Sequence, residues 1–368
     1  MRDSLFGEEI LWQGAPREAS IATPYKIAAI VSAIVAVVGV AFAVAISTGL
    51  GMPVGGMLGL SAWSATVALL AWRLPLAARR AERYTVTDKR VLWRRGGLRR
   101  SIERSAITYA VIRWNPRVAG VGDLVLERAV PAGALRRTLT VTLFDVEAPD
   151  RLLAIIRGVE PTAPVGDGSR PLAQRLDAGE RVLWTALPKG GRWTARRAIT
   201  SVGAVLLALS AWRMMSGALP ALAKVGRLHA LPTATLAVLI GAVGIASLLM
   251  LVVTVWVAYV AWVQPILIRR STRYFVTDRR VLIRRGMEEL FLDRRRIAYV
   301  ISAPTGAATD STRDLFLVLD GPQARAYSPS GAFGGGDDGR LVPVFSAVDD
   351  ADTATELLSD GPEGLRAA

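Results

Sequence analysis

Arginines around one predicted hairpin turn are the residues of this chain best placed to bind a ligand. Guanidinium groups bind phosphate and carboxylate through paired hydrogen bonds, so these residues predict contact with lipid headgroups or an acidic protein surface. The alternative is that the charges keep a strand edge solvated and protect it from aggregation. The residues are Arg94, Arg95, Arg99 and Arg100 at the first turn, and Arg284 and Arg285 at a matching second turn.

The sequence offers little for catalysis. It has no cysteine and one histidine, His229, and it lacks a phosphate-binding glycine-rich loop or a serine nucleophile motif. Asp88 and Asp278 each follow a Val-Thr pair, where aspartate is far more often a turn former than a catalytic acid. We therefore predict that the protein is not an enzyme and has no catalytic residue, metal site or cofactor.

The chain contains two similar halves. Residues 84–96 and 274–286 are identical at ten of thirteen positions, and GEEILWQG near the N-terminus recurs as GERVLWTA around Trp184. The second half has gained residues between these landmarks, and we place the gain around 214–232, where prolines and glycine interrupt the apolar pattern. The sequence therefore predicts a tandem duplication.

Four windows are almost free of charge, in a chain that is 52% apolar. A helix needs about 20 apolar residues to cross the hydrocarbon of a bilayer, and each window reaches that length. Arg213 falls inside the third window, and we predict that this helix ends near Trp212, with Arg213 reaching the interface. The windows are residues 27–48, 57–76, 199–222 and 236–268.

Arginines flank the outer ends of these windows, for example Arg79 and Arg80 after the second and Arg269 and Arg270 after the fourth. By the positive-inside rule these flanks are cytoplasmic. The expected protein is a multi-pass protein of the cell membrane with both termini in the cytoplasm. Because the same flanks explain the net charge of +14, we predict no nucleic-acid partner. A cleavable signal peptide is disfavoured, since the first apolar run is too long and follows acidic residues.

Aromatic and proline residues recur where the predicted spans meet the cytoplasm. We predict that Pro75 and Pro265 bend or end their helices, because proline removes a backbone donor. The predicted anchors at the membrane interface are Trp12, Trp72, Trp184 and Trp262, with packing against a neighbouring domain as the alternative for Trp12 and Trp184.

Short alternating runs after the second window predict a β domain. We expect six or seven strands over residues 84–144, a turn at Gly96-Gly97 with positive φ, and a closing helix in which Leu152, Leu153, Ile155 and Ile156 share helical spacing. This order suggests a small barrel or curled sheet plugged by a helix.

The run Tyr84-x-Val-Thr-Asp-x-Arg-Val-Leu-x-Arg-Arg-Gly96, the isoleucines Ile107 and Ile297, and the run Gly120-Val-Gly-Asp-Leu-Val-Leu resemble the bacterial pleckstrin-homology-like (PH-like) domain of membrane proteins. The resemblance implies a cytoplasmic PH-like barrel in each half. The second half departs from it, having Asp314 without the two glycines and an insertion at 321–340.

These observations predict an α+β membrane protein with two transmembrane helical hairpins, each followed by a small PH-like β-barrel with a C-terminal helix. We expect a non-enzymatic scaffold that binds membrane lipids, with anionic headgroups as candidates, or a protein partner, and that can form oligomers. The alternative is a subunit of a small transporter or channel. The predicted divisions are 1–26 (N-terminal segment), 27–82 (hairpin), 83–158 (PH-like), 159–197 (linker), 198–272 (hairpin), 273–360 (PH-like) and 361–368 (disordered tail).

The predicted orientation can be tested by thiol labelling, because the chain has no native cysteine. Single cysteines at Ser101 and Ser328 should resist a membrane-impermeant maleimide in intact cells and react after lysis. A cysteine at Pro53, in the first outer connection, should react without lysis. Labelling of both Ser101 and Ser328 variants in intact cells would contradict the orientation.

Overall fold

The protein is an α+β protein, with long apolar helices and three β-sheets, in a computed structural model. The structure describes residues 7–17, 21, 23–50, 53–130, 137–160, 176–189, 195–227, 233–305, 312–319 and 341–359. The predicted insertion at 321–340, Ser328, the tail at 361–368 and most of the linker lie outside these residues, as do residues 228–232 of the gained segment.

The helices are α1 (Thr23–Leu50), α2 (Gly55–Arg80), α3 (Pro149–Arg157), α4 (Ala195–Arg227), α5 (Thr233–Ala258), α6 (Gln264–Ser271) and α7 (Ala351–Ser359). The strands of the first half are β1 (Ile10–Gly14), β2 (Glu82–Thr87), β3 (Arg90–Arg95), β4 (Leu98–Glu103), β5 (Tyr109–Trp114), β6 (Val121–Val130) and β7 (Arg137–Glu147). Those of the second half are β8 (Val182–Ala186), β9 (Thr272–Thr277), β10 (Arg280–Arg285), β11 (Glu288–Asp293), β12 (Ile297–Pro304), β13 (Arg313–Leu319) and β14 (Val344–Val348).

The chain divides into a helical unit, residues 20–79 and 195–265, and a β-rich unit formed by the rest. In the described part of the chain, three helical segments are long and apolar enough to cross a membrane: Pro24–Thr48, Gly55–Arg80 and Ser247–Ser271. Their large apolar side chains, such as Val37 and Trp63, point outward, as expected for a helix surrounded by lipid.

The third apolar window forms α4, which differs from the prediction. The helix does not end near Trp212 but continues to Arg227, through Pro220. Arg213 is therefore an exposed residue within a continuous helix. The prediction ended the helix at the charge of Arg213, but an exposed arginine is a good helix former and does not end a helix.

The prolines at the ends of the spans behave differently from each other. Pro75 lies inside α2, which continues to Arg80, so the predicted helix end at this residue is wrong. In the second half, a π-helical turn, Tyr259–Val263, ends two residues before Pro265. A π turn is a common cause of helix distortion, and here it lies one residue away from the proline that lacks a backbone donor.

Small residues form the helix contacts of the helical unit. Ala29, Ala36 and Ala43 of α1 are buried, and a side chain at Gly39 would collide with Ser61, because its Cβ would lie 2.3 Å from the Ser61 Oγ. Small residues let helix backbones approach closely when apolar surface cannot drive association in lipid.

The β-rich unit contains a four-stranded sheet in the order β1-β2-β3-β4, a three-stranded sheet in the order β12-β13-β14, and a seven-stranded sheet in the order β7-β6-β5-β11-β10-β9-β8. All pairings are antiparallel. The described pairings form open sheets and no closed barrel, so the barrel of the sequence prediction is corrected to open, packed sheets. We call β1–β7 with α3 the first set, and β8–β14 with α7 the second set.

The first strand of each set comes before the apolar helices. β1 pairs with β2, with Trp12 opposite Val86, although α1 and α2 lie between them in the chain. β8 likewise pairs with β9 across α4, α5 and α6. The tryptophan segments, which the sequence assigned to an N-terminal segment and a linker, are therefore strands.

The seven-stranded sheet joins the two sets through β5 and β11. Their register places Glu288 opposite Arg113 and Phe291 opposite Ala110. Both faces of β5 are buried: Ile112 faces the core of the first set, whereas Tyr109 and Val111 contribute to the core of the second set. The predicted boundary between the two domains is thus crossed by a continuous ladder of backbone hydrogen bonds.

Each set is completed by a helix that closes its core. The predicted helix after β7 is confirmed as α3, whose Leu152, Leu153 and Ile156 are buried in the first core. In the second core, Ala351, Ala354 and Leu358 of α7 pack in the cluster that also contains Phe345. The amphipathic spacing was sufficient to predict α3 because one apolar stripe faces the sheets.

The recurring sequence segments interlock in space. Thr277 Oγ1 donates to Glu180 Oε1 (2.7 Å), and Arg280 forms hydrogen bonds to both carboxylate oxygens at 2.8 and 2.7 Å. In the first set, Thr87 and Arg90 make the corresponding bonds to Glu8 at 2.9 and 3.0 Å. In each set, a glutamate that precedes the apolar helices in the chain thus binds the hairpin turn that follows them: Glu8 binds the β2–β3 turn, and Glu180 binds the β9–β10 turn.

The aspartates of these turns also bond to the preceding strand. Asp88 Oδ1 accepts a hydrogen bond from the Glu9 backbone N–H (3.1 Å), and Asp278 Oδ1 accepts one from the Arg181 N–H (3.0 Å). Their carboxylates are structural partners of backbone amides, in agreement with the turn-forming prediction.

The Gly-x-Gly-Asp run has a structural explanation. Gly120 has φ of +72°, and a Cβ at Gly122 would lie 2.7 Å from the Arg113 carbonyl oxygen. Asp123 Oδ1 accepts a hydrogen bond from the N–H of Asp145, which has φ of +48°. In the second set, Asp314 makes the same kind of bond to Ala347, at 2.7 Å and φ of +52°. The aspartate stabilises a left-handed residue in both sets.

The Glu180–Arg280 pair predicts a pH-dependent stability. Burial alone would raise the pKa of Glu180, but the hydrogen bonds and charge of Arg280 outweigh it and hold the pKa below its ordinary value. Its stabilisation should be complete above the unfolded pKa of about 4.3 and disappear as pH falls through the lower folded value. Glu180→Gln should cost about 3 kcal/mol at neutral pH, because buried Arg280 then loses its two charged hydrogen bonds and keeps only Asp177, 3.5 Å away, as a counter-charge.

Urea unfolding of the full-length protein in detergent, followed by circular dichroism, measures this cost. The matched variant Glu8→Gln should have a smaller effect, because the Arg90 side chain is 31% exposed and that of Arg280 only 8%. Equal effects of the two variants, or a Glu180→Gln effect that persists below pH 3 or so, would contradict the assignment.

Candidate binding surface

The register of the β3–β4 hairpin distributes its arginines over two faces. Directly opposite residues of an antiparallel pair lie on the same face. Arg94 is opposite Arg99, and Trp93 is opposite Arg100. Arg95 is opposite Leu98 and shares the face of Trp93, because residues two apart in a strand point the same way. The four predicted arginines therefore form two pairs and not one patch.

The first face carries a row of three arginines across three strands. β2 places Arg83 opposite Arg94, which is in turn opposite Arg99. All three side chains are exposed, and in the described part of the chain they form no ion pair with an acid. Neighbouring strands lie about 4.8 Å apart, so the row spans roughly 10 Å. We call these three residues the arginine row.

In the described part of the chain, Arg83 and Arg94 of the row donate hydrogen bonds to backbone oxygens. Arg83 Nη1 donates to the carbonyl oxygens of Arg80 (3.1 Å) and Glu82 (2.7 Å), and Arg94 Nε donates to Gly96 O at 3.4 Å. These bonds orient the side chains and leave their positive charges uncompensated. Gly96, with φ of +56°, forms the tight turn at the tip, as predicted.

The opposite face carries an aromatic residue between two cations. The guanidinium carbons of Arg95 and Arg100 lie 5.4 and 5.8 Å from the centre of the Trp93 ring, within cation–π range. Arg95 also lies 3.9 Å from the buried carboxylate of Glu82. Because Trp93 packs against the first core, these arginines cover the end of that core.

The second hairpin is electrostatically different. Arg285 forms an ion pair with Glu288 at 2.6 Å, and Arg284 lies 3.8 Å from Glu289, whose side chain also accepts a hydrogen bond from Trp114 Nε1 at 3.0 Å. Neither arginine is an uncompensated exposed cation, since their side chains are 14% and 21% exposed. The structure thus separates Arg284 and Arg285 from the surface that the sequence predicted.

The four predicted anchor tryptophans occupy two kinds of position. Trp72 in α2 and Trp262 in the π turn are exposed on apolar helices. Trp12 in β1 packs against the first core, and Trp184 in β8 is buried and stacks on Phe345 with ring centres 5.6 Å apart. The alternative given for Trp12 and Trp184, that they pack against a neighbouring domain, agrees with their observed positions.

Sequence reasoning missed Arg83 as a member of the surface, because Arg83 was assigned only to the cytoplasmic flank of a span. The signal was present in the alternation of β2, since Tyr84 and Val86 point inward and Arg83 must point outward. Within the described ranges, no group of three or more histidine or acidic residues is arranged to hold a metal.

Comparisons with protein-family models, curated proteins and solved structures found no match to this chain.

The arginine row should cost stability. Like charges directly opposite each other on a sheet are destabilising, whereas an opposite-charge pair contributes roughly 0.2–1 kcal/mol. Arg99→Glu introduces the acid that the second set has at Glu289 and should therefore raise the free energy of unfolding by about 0.5 kcal/mol. Arg117→Glu, at an exposed position in the connection between β5 and β6, is the matched control for the charge change. A lower stability of Arg99→Glu, measured by urea unfolding, would show that the row is not under repulsion.

Proposed function

We propose that this chain is a multi-pass cell-membrane protein that holds two PH-like domains at the cytoplasmic surface, and that the arginine row binds the phosphates of anionic lipid headgroups. The protein acts as a non-enzymatic scaffold, with its termini in the cytoplasm. The observation that carries the proposal is the alignment of three exposed arginines without acidic partners across β2, β3 and β4.

The membrane part of the proposal rests on the apolar helices. Three described segments have the length and composition of membrane spans, and α4 covers the third apolar window of the sequence. Four spans, arranged as two hairpins, would leave both termini on one side. The arginine flanks of the spans support the cytoplasmic side.

Several features support a PH-like assignment and a duplication. Among the described residues, each set has seven strands followed by a helix that closes the core, in the same order along the chain. The strands β2, β3 and β4 have six residues each, as do β9, β10 and β11. β2 starts at residue 82 and β9 at residue 272. The same glutamate, threonine and arginine contacts recur in both sets, which fits descent from one unit.

Phosphate binding follows from the charge and spacing of the row. A row about 10 Å long matches one or two phosphate groups, and each guanidinium can donate a pair of hydrogen bonds to phosphate oxygens. Cations near an anionic membrane surface contribute about 1 kcal/mol each, so the row would supply about 3 kcal/mol. Arg83 follows the last residue of α2 by three positions, which keeps the row close in sequence to a predicted membrane exit.

Lipid contact can be measured in the full-length protein, because β1 belongs to the sheet and a fragment starting at β2 would lack it. A single cysteine at Ser101, next to Arg99 on the same face, carries a fluorophore in nanodiscs that contain a lipid with a nitroxide-labelled headgroup. Quenching should be stronger with phosphatidylglycerol than with phosphatidylcholine alone. It should fall at 1 M salt, where the Debye length shrinks from about 8 to about 3 Å.

Replacing Arg83, Arg94 and Arg99 by glutamine should reduce quenching to the level of phosphatidylcholine discs, and Arg99→Glu should do the same. The matched control replaces three other exposed arginines, Arg117, Arg151 and Arg181, and should keep the difference between the lipids. Equal quenching in both lipids for the unmodified protein would exclude headgroup binding by the row.

A further inference from the structure

The edge strand of the three-stranded sheet is a second surface with the properties of a binding site. β5 is the counterpart of β12 in the first set, with matching residues 190 positions apart. β5 lies between β6 and β11, whereas in the described part of the chain β12 pairs only with β13. β11 therefore covers one edge of β5, but the corresponding edge of β12 has no strand beside it among the described residues.

β12 keeps the apolar character of an interior strand. Tyr299 and Ile301 stand where β5 has Tyr109 and Val111, and both β5 residues are buried in the second core. Tyr109 is 3% exposed and Tyr299 is 51% exposed. An apolar strand with an open edge is normally protected by charge, proline or a covering segment, because it otherwise pairs with another chain. On β12 only Pro304, its last residue, provides such protection.

Backbone hydrogen bonds show which groups of β12 face the open edge. In β5, Trp114 N–H donates to Met287 at the start of β11 (2.9 Å), and Asn115 N–H donates to Val121 on the other side (2.9 Å). Thr305 corresponds to Asn115, and its N–H donates to Thr312 at the start of β13 (3.2 Å). Because N–H groups alternate along a strand, those of Val300 and Ser302 point to the open edge.

We propose that the open edge of β12 binds an extended strand of another protein by β-augmentation, in the way that β11 pairs with β5. The partner strand is antiparallel, has adjacent apolar residues in its centre like Leu290 and Phe291, and carries an acidic residue at its C-terminal end. That end would lie beside the start of β12, next to the exposed Arg295.

The β4 strand of a second copy of this chain is a poorer occupant. The strand of a second copy that corresponds to β11 is β4, and the β11–β5 register would place its Arg100 opposite Ile301, where Leu290 faces Val111. Burying a guanidinium opposite an aliphatic side chain is unfavourable without an acidic partner. Residues 321–340 of the chain itself are rich in glycine and proline, which are depleted in strands.

The β11 segment supplies a probe for the test. A fluorescein-labelled peptide with the sequence of residues 286–293 should bind the detergent-solubilised full-length protein in an anisotropy titration. A peptide that has arginine and serine in place of Leu290 and Phe291, as β4 has at the equivalent positions, should not bind. Ser302→Pro removes an outward N–H without touching the β12–β13 bonds and should weaken binding about tenfold, whereas Ser302→Ala should not.

A second pair of variants tests the charge contact independently of backbone changes. Arg295→Glu should weaken binding of the peptide, whose last residue is aspartate, and Arg295→Lys should retain it. The proposal is overturned if the unmodified protein does not bind the peptide, or if Ser302→Pro binds as well as Ser302→Ala. It is also overturned if binding appears only after deletion of residues 321–340, which would identify that segment as the occupant, or if Ser302→Pro converts a dimer into a monomer.

Discussion

The ladder between β5 and β11 joins the two sets and makes β11 differ from the edge strands β4 and β12. It buries both faces of β5, moves β11 into a sheet interior and leaves β4 and β12 as edges. The acids of β11 then find partners across it, since Glu288 binds Arg113 and Glu289 accepts from Trp114. One set of backbone hydrogen bonds thus decides which arginines are neutralised and which stay exposed.

The two hairpins differ in the way expected for interior and terminal members of an array. At the positions of Glu289 and Phe291 in β11, the edge strand β4 has Arg99 and Ser101. Polar outer faces are typical of terminal repeats, because nothing packs on them. Arg99 in place of an acid completes the arginine row, so a residue that keeps this edge soluble also belongs to the surface to which we assign anion binding.

Local patterns predicted local structure well. The apolar windows became helices, the alternating runs of β3 and β5 became strands, and the spacing of Leu152 and Ile156 became α3. The sequence did not predict the pairing of β5 with β11, because strand pairing depends on the packing of both faces and has no signal in either strand alone. It missed β1 and β8 for a related reason, since each is separated from its partner strand by long helices. Likewise, Arg83 could be assigned to the arginine row only from the register of β2 against β3, which the amino-acid composition does not give.

The position of β1 ahead of α1 couples the sheet to the order in which the chain is made. β1 leaves the ribosome before both apolar helices, and its partner β2 follows them, so β1 stays unpaired until the segment at 15–81 has been made. Closing a flexible loop costs entropy that increases with its length, but two helices of similar length return the chain close to its starting point and shorten the search. In the membrane topology that we propose, insertion of α1 and α2 would act as a checkpoint for the β domain. A chain with only one of the two inserted would hold β1 and β2 on opposite sides of the bilayer, where Glu8 could not reach Arg90.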